Sequence, residues 1–179
     1  MNKDRMRKIE GDQLLESERF RVVKLLEKCR DGKTRSKDVI EHPGSVAIVP
    51  FVDDGWVCLI NVFRPAVGRT LIEIPAGTLD RVESLPAAAH RELREETGYQ
   101  AAVLESLGEL WMSPGILHEK MHLFVAKGLQ SGTQSLEPNE CIEPRVVRWS
   151  EAVAMCRNGL IEDAKTVAAI FLADHWLRS

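Results

Sequence analysis

Three glutamates in the run AAAHRELREETGY are the residues whose type and spacing indicate chemistry most directly. On a helix at about 100° per residue, Glu92, Glu95 and Glu96 fall within one arc of about 100°. Carboxylates packed so closely repel one another, by about 1 kcal/mol per pair at ~4 Å even in water. A solvated acidic face tolerates this repulsion, whereas a divalent cation turns it into attraction because Mg²⁺ prefers oxygen ligands. The helix alone leaves both interpretations open.

A strand, a short loop and a helix are expected to position these carboxylates. The apolar run TLIEI indicates a strand that ends at the PAG loop, residues 75–77. Ser84 is expected to cap a helix that begins near Leu85, with a proline tolerated in its first turn. Gly98 is expected to end the helix in the left-handed C-terminal conformation. The small residues early in this helix allow the loop backbone to approach the carboxylates closely.

The remaining pattern predicts an α/β fold, with one mixed sheet covered by helices on both faces. SVAIVPFV and WVCLINVF flank a turn at residues 53–55 and predict a hairpin whose strands are buried on two faces. Further strands are expected in AAVLESLGELW, KMHLFVAKG and PRVVRW, and two more helices are expected to be capped by Ser150 and Asp163. Residues 19–40 indicate one or two additional strands. We therefore expect an N-terminal strand extension, residues 1–42, followed by one domain, residues 43–179.

Composition excludes several classes of function. The 179-residue chain has a formal net charge of −3 and lacks the basic excess of nucleic-acid-binding proteins. The charged start MNKDRMRKIE does not resemble a signal peptide, and no apolar run approaches the roughly 18 residues needed to span a bilayer. The four cysteines have no metal-binding spacing, which favours reduced thiols. We expect a cytoplasmic protein that binds neither nucleic acid nor membrane.

The longer spacing around the glutamates decides between a solvated face and a metal site. It fits the pattern G-x5-E-x7-R-E-U-x-E-E-x-G-U, in which U is a bulky apolar residue. The matching residues are Gly77, Glu83, Arg91, Glu92, Leu93, Glu95, Glu96, Gly98 and Tyr99. This pattern is the Nudix box, so the chain resembles a Nudix hydrolase. The aromatic residue at the last apolar position is a mild departure.

The resemblance implies a Nudix fold and a site for Mg²⁺, with Mn²⁺ as an alternative ion. The ligands implied are Glu92, Glu95, Glu96 and the carbonyl oxygen of Ala76. Glu96 is also counted with the catalytic residues. Glu83 and Arg91 are implied to be orienting partners of the ligands.

A segment beyond the box resembles one subgroup of this family, the ADP-ribose pyrophosphatases and their nucleotide-sugar relatives. Pro114, in SPG, lies 16 residues after Gly98 and resembles the proline that marks the subgroup. The resemblance implies that Arg64, Glu73, Pro114 and Gly115 bind substrate. Arg64 is expected to contact the diphosphate through its bidentate fork, unless it only caps a strand end. Glu73 interrupts an apolar strand and faces either the site or solvent.

Hydrolysis also needs a group that aligns or deprotonates the attacking water. In this subgroup a glutamate on a mobile loop has that role, and Glu140 in SLEPNECIEPRVVRW is the best match. Many relatives carry a second acid two residues earlier, where this chain has Pro138. Glu119 and Glu137 are therefore retained as alternatives.

The implied function is Mg²⁺-dependent hydrolysis of ADP-ribose to AMP and ribose 5-phosphate. The alternatives are hydrolysis of another nucleoside diphosphate sugar such as UDP-glucose or GDP-mannose, hydrolysis of oxidised dNTPs, and a non-catalytic nucleotide sensor. In the subgroup the N-terminal segment exchanges between two subunits, so residues 1–42 are expected in a homodimer interface. The residues that hold the base are not identified, although Trp56, after a hairpin turn, is the tryptophan expected to be exposed.

Overall fold

The computed structural model describes residues 9–138 and 140–178. The strands are β1 (Asp12–Glu16), β2 (Arg21–Lys28), β3 (Thr34–Glu41), β4 (Ser45–Asp53), β5 (Trp56–Arg64), β6 (Arg69–Glu73), β7 (Ala76–Thr78), β8 (Gln100–Met112), β9 (Leu117–Gln130) and β10 (Ile142–Arg148). The helices are α1 (Leu85–Thr97), α2 (Trp149–Arg157) and α3 (Ala164–Trp176). Residues 1–8 of the expected extension, and positions 139 and 179 of the expected domain, lie outside the described residues.

Within the described residues, ten strands form one mixed sheet. The main path is β1-β2-β3-β9-β4-β5-β10, while β6 pairs with β5, β7 with β4 and β8 with β9. β9 runs parallel to both β3 and β4. The other pairs are antiparallel. The expectation of a mixed sheet is therefore confirmed.

Helices cover this sheet on both faces, as the contacts of β4 show. Alternate residues of a strand point to opposite faces. Val46 and Ile48 pack with the buried residues of α1, whereas Val49 and Phe51 pack with those of α2 and α3. The seven residues 45–51 are all buried, which explains the nearly continuous apolar run. The α/β/α arrangement expected from the sequence is confirmed.

The extension adds three antiparallel strands to one edge of the sheet. β3 joins β9 through the parallel pairs Ile40–Leu117 and Glu41–His118. Val23 is fully buried, but every residue of β1 is exposed. The boundary at residues 42/43 stays a prediction. Over the described residues, none of the helices combines the length and apolar character needed to cross a bilayer.

Two local expectations are wrong. α2 begins at Trp149 with Arg148 as its N-cap, so Ser150 does not cap it. Trp149 packs on Phe51, with ring centroids 4.9 Å apart, and this tertiary contact holds the start of α2 where local capping does not. The PAG loop is also more regular than expected, because β7 pairs with the start of β4. The cap at Asp163 is confirmed, since its side chain accepts the Thr166 N–H.

Candidate active site

A cleft of about 1210 Å³ collects most of the site residues predicted from the sequence. Its walls come from the extension, the end of β5, β7 and the turn after it, α1, and the loop before β10. The lining comprises residues 16–21, 41–43, 62–65, 76–80, 137 and 140–142, with Arg91, Glu92, Glu95 and Glu96 of α1. The predicted metal ligands therefore lie together on one wall.

α1 is fixed at both ends by the caps that the sequence predicted. Ser84 Oγ accepts the N–H of Ala87 at 3.3 Å, and Gly98 ends the helix with φ of 79°. Leu93 is fully buried in the core, so its position anchors one side of the helix. The glutamate-bearing side then borders the cleft.

Gly77 allows the loop backbone to meet the carboxylate of Glu92. The pairing of β7 with β4 places Gly77 opposite Val46. A Cβ added at Gly77 would lie 1.9 Å from Cδ and 2.0 Å from Oε1 of Glu92. Those separations are far inside van der Waals contact, so the glycine is needed for close approach.

Arg91 connects the carboxylates on this wall. Its Nε and Nη2 donate to Glu83 Oε1 at 2.9 and 2.6 Å. Its Nη1 donates to Glu92 Oε1 at 2.6 Å and to Glu95 Oε2 at 3.1 Å. Glu83 thus accepts two hydrogen bonds from Arg91, and Arg91 donates in turn to the predicted ligands Glu92 and Glu95. This geometry suits orienting partners, and their effect on a reaction stays a prediction.

Glu92 and Glu96 are buried carboxylates in a site that is short of positive charge. Burial raises the pKa of Glu96 to about 8, against the hydrogen bond that its Oε2 accepts from the Ala76 N–H at 2.9 Å. Burial also raises the pKa of Glu92 to about 7, against the opposing charge of Arg91. The nearby charge of Glu140 adds to both increases. Further positive charge would therefore favour the ionised form of both groups.

The donor set on this wall fits a hard divalent cation. Carboxylate and carbonyl oxygens are the ligands that Mg²⁺ and related ions prefer. In the described part of the chain, no three carboxylate, imidazole or thiol groups converge on one point as the side chains stand. Arg91 instead bridges Glu92 and Glu95, and Glu96 bonds to the Ala76 amide. At present Arg91 is shared among Glu83, Glu92 and Glu95. A cation bound here would add the positive charge that these carboxylates lack.

Arg64 and Glu73, both predicted to bind substrate, contact each other. Arg64 Nε and Nη2 donate to Glu73 Oε1 and Oε2 at 2.8 and 2.7 Å. Arg64 lines the cleft with its side chain 42% exposed, whereas Glu73 is buried and lies outside the lining. Although burial raises it, hydrogen bonds from Arg64 and the charge of Lys165 hold the pKa of Glu73 below its usual value. Glu73 thus faces neither solvent nor the cleft, and its carboxylate contacts Arg64 and Lys165.

The loop that carries Glu140 is held against α1. Glu140 lines the cleft, and its Oε2 accepts the Glu137 N–H at 2.9 Å. Gln134 Nε2 donates to the carbonyl oxygens of Glu96 at 2.6 Å and Ile142 at 3.1 Å. Sequence reasoning missed Gln134, because its two acceptors are distant in the chain and leave no local pattern.

Besides Glu73 and Glu83, three predicted site residues lie outside the cleft lining. Pro114 and Gly115 are in the turn between β8 and β9. Glu119 Oε1 accepts a hydrogen bond from Ser45 Oγ at 2.7 Å and lies 3.5 Å from His42 Nδ1. The cleft of this chain gives no support to their predicted roles. Spacing from the box does not determine where the far turn of a long hairpin lies.

Two aromatic side chains in the cleft were not identified from the sequence. Phe20, from the extension, is 40% exposed, and Phe63, near the end of β5, is 51% exposed. Exposed aromatic faces are surfaces on which nucleobases stack. Trp56 is half-buried beneath Arg148, whose guanidinium carbon is 4.7 Å from the ring centroid, and it lies outside the cleft. A suitable aromatic surface therefore exists, but not at the tryptophan.

Comparisons with known proteins bear on the family and the fold. The family model described as NUDIX domain matches residues 41–170. The ADP-ribose pyrophosphatase of Bacillus subtilis is 35% identical over 142 residues, covering 78% of this chain and 77% of that protein. The GDP-mannose pyrophosphatase of Citrobacter koseri is 38% identical over 154 residues, covering 76% and 80%. A crystal structure of an ADP compounds hydrolase superposes with a TM-score of 0.82 at 24% identity, covering 97% of each chain, and shows the fold.

Proposed function

The chain belongs to the Nudix family of pyrophosphohydrolases, and we propose that it hydrolyses the diphosphate of ADP-ribose, giving AMP and ribose 5-phosphate. One observation carries the proposal. A single cleft combines the buried carboxylates of α1, the cleft-facing Arg64 and two exposed phenylalanines. These are suitable partners for a metal ion, a diphosphate and a base. The relative named an ADP-ribose pyrophosphatase supports the choice of nucleotide.

Glu92, Glu95, Glu96 and the carbonyl of Ala76 would hold Mg²⁺, for which Mn²⁺ is expected to substitute. When bound, the ion neutralises phosphate charge, lowers the pKa of water and stabilises the leaving oxygen. The protein's own contribution begins with Arg91, which orients Glu92 and Glu95 by direct hydrogen bonds.

Two further residues act on the substrate and the water. Arg64 offers Nη1 of its guanidinium to the diphosphate, because Nε and Nη2 form the bidentate pair with Glu73 rather than the fork to phosphate that the sequence suggested. Glu140, which lines the cleft on a loop held by Gln134, aligns the water or accepts its proton. Glu119 is disfavoured for this role because it lies outside the cleft lining, where its Oε1 accepts a hydrogen bond from Ser45 Oγ.

A second candidate substrate is GDP-mannose, because a relative with that activity in its name is 38% identical to this chain. UDP-glucose belongs to the same chemical class. The phenylalanines do not discriminate among bases, since every base offers a face for stacking. The sugar and the base of the preferred substrate therefore have to be found by measuring hydrolysis.

The test is hydrolysis of a substrate panel with Mg²⁺, comparing ADP-ribose, UDP-glucose, GDP-mannose, dinucleoside polyphosphates and oxidised dNTPs. We expect the highest kcat/KM with ADP-ribose. A preference for GDP-mannose or UDP-glucose would replace the substrate but keep the reaction. Preference for the dNTPs, or tight binding of ADP-ribose without turnover, would overturn the proposal.

Substituting Gly77 tests the predicted metal site. In Gly77→Ala the new methyl group overlaps the Glu92 carboxylate, so one of the ligands must move. We expect a loss of about 1–3 kcal/mol in unfolding free energy and about tenfold weaker Mg²⁺ binding by calorimetry. Gly115→Ala is the control, because a Cβ there meets nothing within 4 Å. Unchanged Mg²⁺ affinity in Gly77→Ala would count against Glu92 as a ligand.

We also infer that the extension pairs with a second copy of the chain. Leu14 and Leu15 of β1 are each 49% exposed, and Leu26 of β2 is 70% exposed. β1 lies at the end of the strand order, where an edge strand with exposed leucines readily pairs with another chain. Light scattering at micromolar concentration is expected to give twice the chain mass, and Leu14→Glu with Leu26→Glu is expected to reduce it. A monomeric wild-type mass would contradict the inference.

A further inference from the structure

Lys165 is a buried lysine at the start of α3, outside the cleft lining. The residue is 8% exposed, and lysine is rarely buried so fully without a partner. Its Nζ contacts Glu73 Oε2 and lies 3.0 Å from Asp163 Oδ2. Two carboxylates therefore compensate for the loss of water around this ammonium group.

Glu73 divides its carboxylate between two cations. Both of its oxygens accept hydrogen bonds from Arg64, and Oε2 also accepts one from Lys165. The side chains of Arg64, Glu73, Lys165 and Asp163 thus form a row of alternating charges. Arg64, the member that lines the cleft, is its positive end.

The buried end of this row is fixed by the backbone around it. Asp163 Oδ2 accepts the N–H of Thr166 at 2.9 Å, which caps α3. Thr166 Oγ1 accepts the N–H of Ile74 at 3.0 Å, and Ile74 directly follows Glu73. The first turn of α3 is therefore tied to the strand end that presents Glu73. Lys165 meets Glu73 in a defined geometry.

We propose that Lys165 is a positioning residue for the substrate diphosphate, acting on Arg64 through Glu73. If Arg64 were the only cation beside Glu73, the carboxylate would cancel its charge. Because Lys165 shares Glu73, part of the positive charge of Arg64 stays available to an anion in the cleft. The shared carboxylate also holds the Nε and Nη2 edge of Arg64, which leaves Nη1 for a phosphate oxygen. This inference rests on the proposed function of Arg64.

Removing the charge of Lys165 is expected to affect binding more than chemistry. In Lys165→Met we expect the KM for ADP-ribose to rise about tenfold, with kcat changed by less than about threefold. Lys165→Arg keeps the charge and is expected to recover most of the loss. Lys127→Met is the matched control, because it removes a lysine that pairs with Glu105 away from the cleft. Its KM is expected to equal that of the wild type.

A double-mutant cycle distinguishes positioning from a merely structural role. With Arg64→Ala as the background, Lys165→Met is expected to cause no further rise in KM, since the residue through which Lys165 acts is gone. A general loss of structure would instead lower activity by the same factor in both backgrounds. Thermal melting of all four proteins verifies that they are folded. If Lys165→Met does not fold, Lys165→Gln, which keeps an N–H donor without the charge, takes its place.

The outcomes separate this inference from the proposed function. If Arg64→Ala raises KM but Lys165→Met does not, or if the two effects simply add, the positioning role is overturned while the function stands. If the wild type does not hydrolyse ADP-ribose, the proposed function fails. The same cycle is then measured by calorimetric binding of inorganic pyrophosphate with Mg²⁺. Weaker binding in Lys165→Met that disappears in the Arg64→Ala background supports the inference, and equal binding overturns it.

Discussion

Glu96→Gln is expected to lower kcat about a thousandfold, a loss of about 4 kcal/mol of transition-state stabilisation. Glu96 is almost fully buried on the cleft wall and accepts the Ala76 N–H. Glutamine keeps the size and one acceptor oxygen but removes the negative charge that a divalent cation requires. Because the proposed metal would contribute at several points of the reaction, losing one of its charged ligands should affect turnover more than substrate binding.

The measurement is kcat for ADP-ribose hydrolysis at saturating Mg²⁺, with circular dichroism to verify the fold. Glu105→Gln is the matched control, since Glu105 pairs with Lys127 at 3.6 Å on the surface. It is expected to retain wild-type turnover. Near wild-type activity in Glu96→Gln would remove Glu96 from the metal site.

The same substitution should stabilise the metal-free protein at high pH. A carboxyl group whose folded-state pKa is raised contributes stability at low pH that is lost as pH rises through that pKa. For Glu96 the interval runs from the ordinary 4.5 to about 8. Glutamine does not ionise, and one pKa unit corresponds to about 1.4 kcal/mol, so a gain on the order of a few kcal/mol is expected at pH 9.

Urea unfolding in EDTA at pH 5 and pH 9 measures this difference. The two proteins should have similar unfolding free energies at pH 5, and Glu96→Gln should be the more stable at pH 9. Added Mg²⁺ should stabilise the wild type more than the variant. A wild type that is at least as stable as the variant at pH 9 without metal would contradict the burial argument.

Glu140→Gln is expected to lower kcat about a hundred- to ten-thousandfold with little change in KM. Glu140 lines the cleft, and its charge already acts on Glu92 and Glu96. A carboxylate near the proposed metal ligands but not counted among them is well suited to align water or accept its proton. Glutamine retains the hydrogen bond to the Glu137 N–H through its carbonyl oxygen, so the loop should keep its conformation.

Matched variants of the two alternative glutamates test this assignment. Glu119→Gln should retain the hydrogen bond from Ser45 and wild-type kcat, because Glu119 lies outside the cleft. Glu137→Gln should have a small effect, since Glu137 contributes its backbone N–H to Glu140. A large loss of kcat in either variant, with normal turnover in Glu140→Gln, would move the role to that residue.

The parts of the site that follow from local rules were predictable. Helix periodicity placed Glu92, Glu95 and Glu96 on one side, and Ser84 and Gly98 marked the ends of α1 because capping depends on neighbouring residues. Continuous apolar runs indicated strands buried on both faces, as β4 is. The fold class and the grouping of the three glutamates on one side of α1 were therefore predictable from the sequence.

Contacts between distant segments were not predictable in the same way. Glu73 meets Lys165 across 92 residues, and Gln134 meets the Glu96 carbonyl across 38. Helix and strand periodicity involve only residues near one another in sequence, so they do not predict such contacts. Pro114 also depends on distant packing: β8 has 13 residues, so at about 3.3 Å per residue its far turn lies roughly 40 Å along the hairpin from the end of α1. Spacing in sequence does not show that this turn lies outside the cleft lining, and the role of Pro114 in substrate binding stays a prediction.

Product analysis after incubation with ADP-ribose tests the central claim most directly. Purified protein with Mg²⁺ is expected to give AMP and ribose 5-phosphate in equal amounts, and no products in excess EDTA or with Glu96→Gln. Equal rates with Mg²⁺ and with EDTA, or an intact substrate under every metal condition, would contradict the account of α1 as the metal-binding wall of a diphosphate hydrolase.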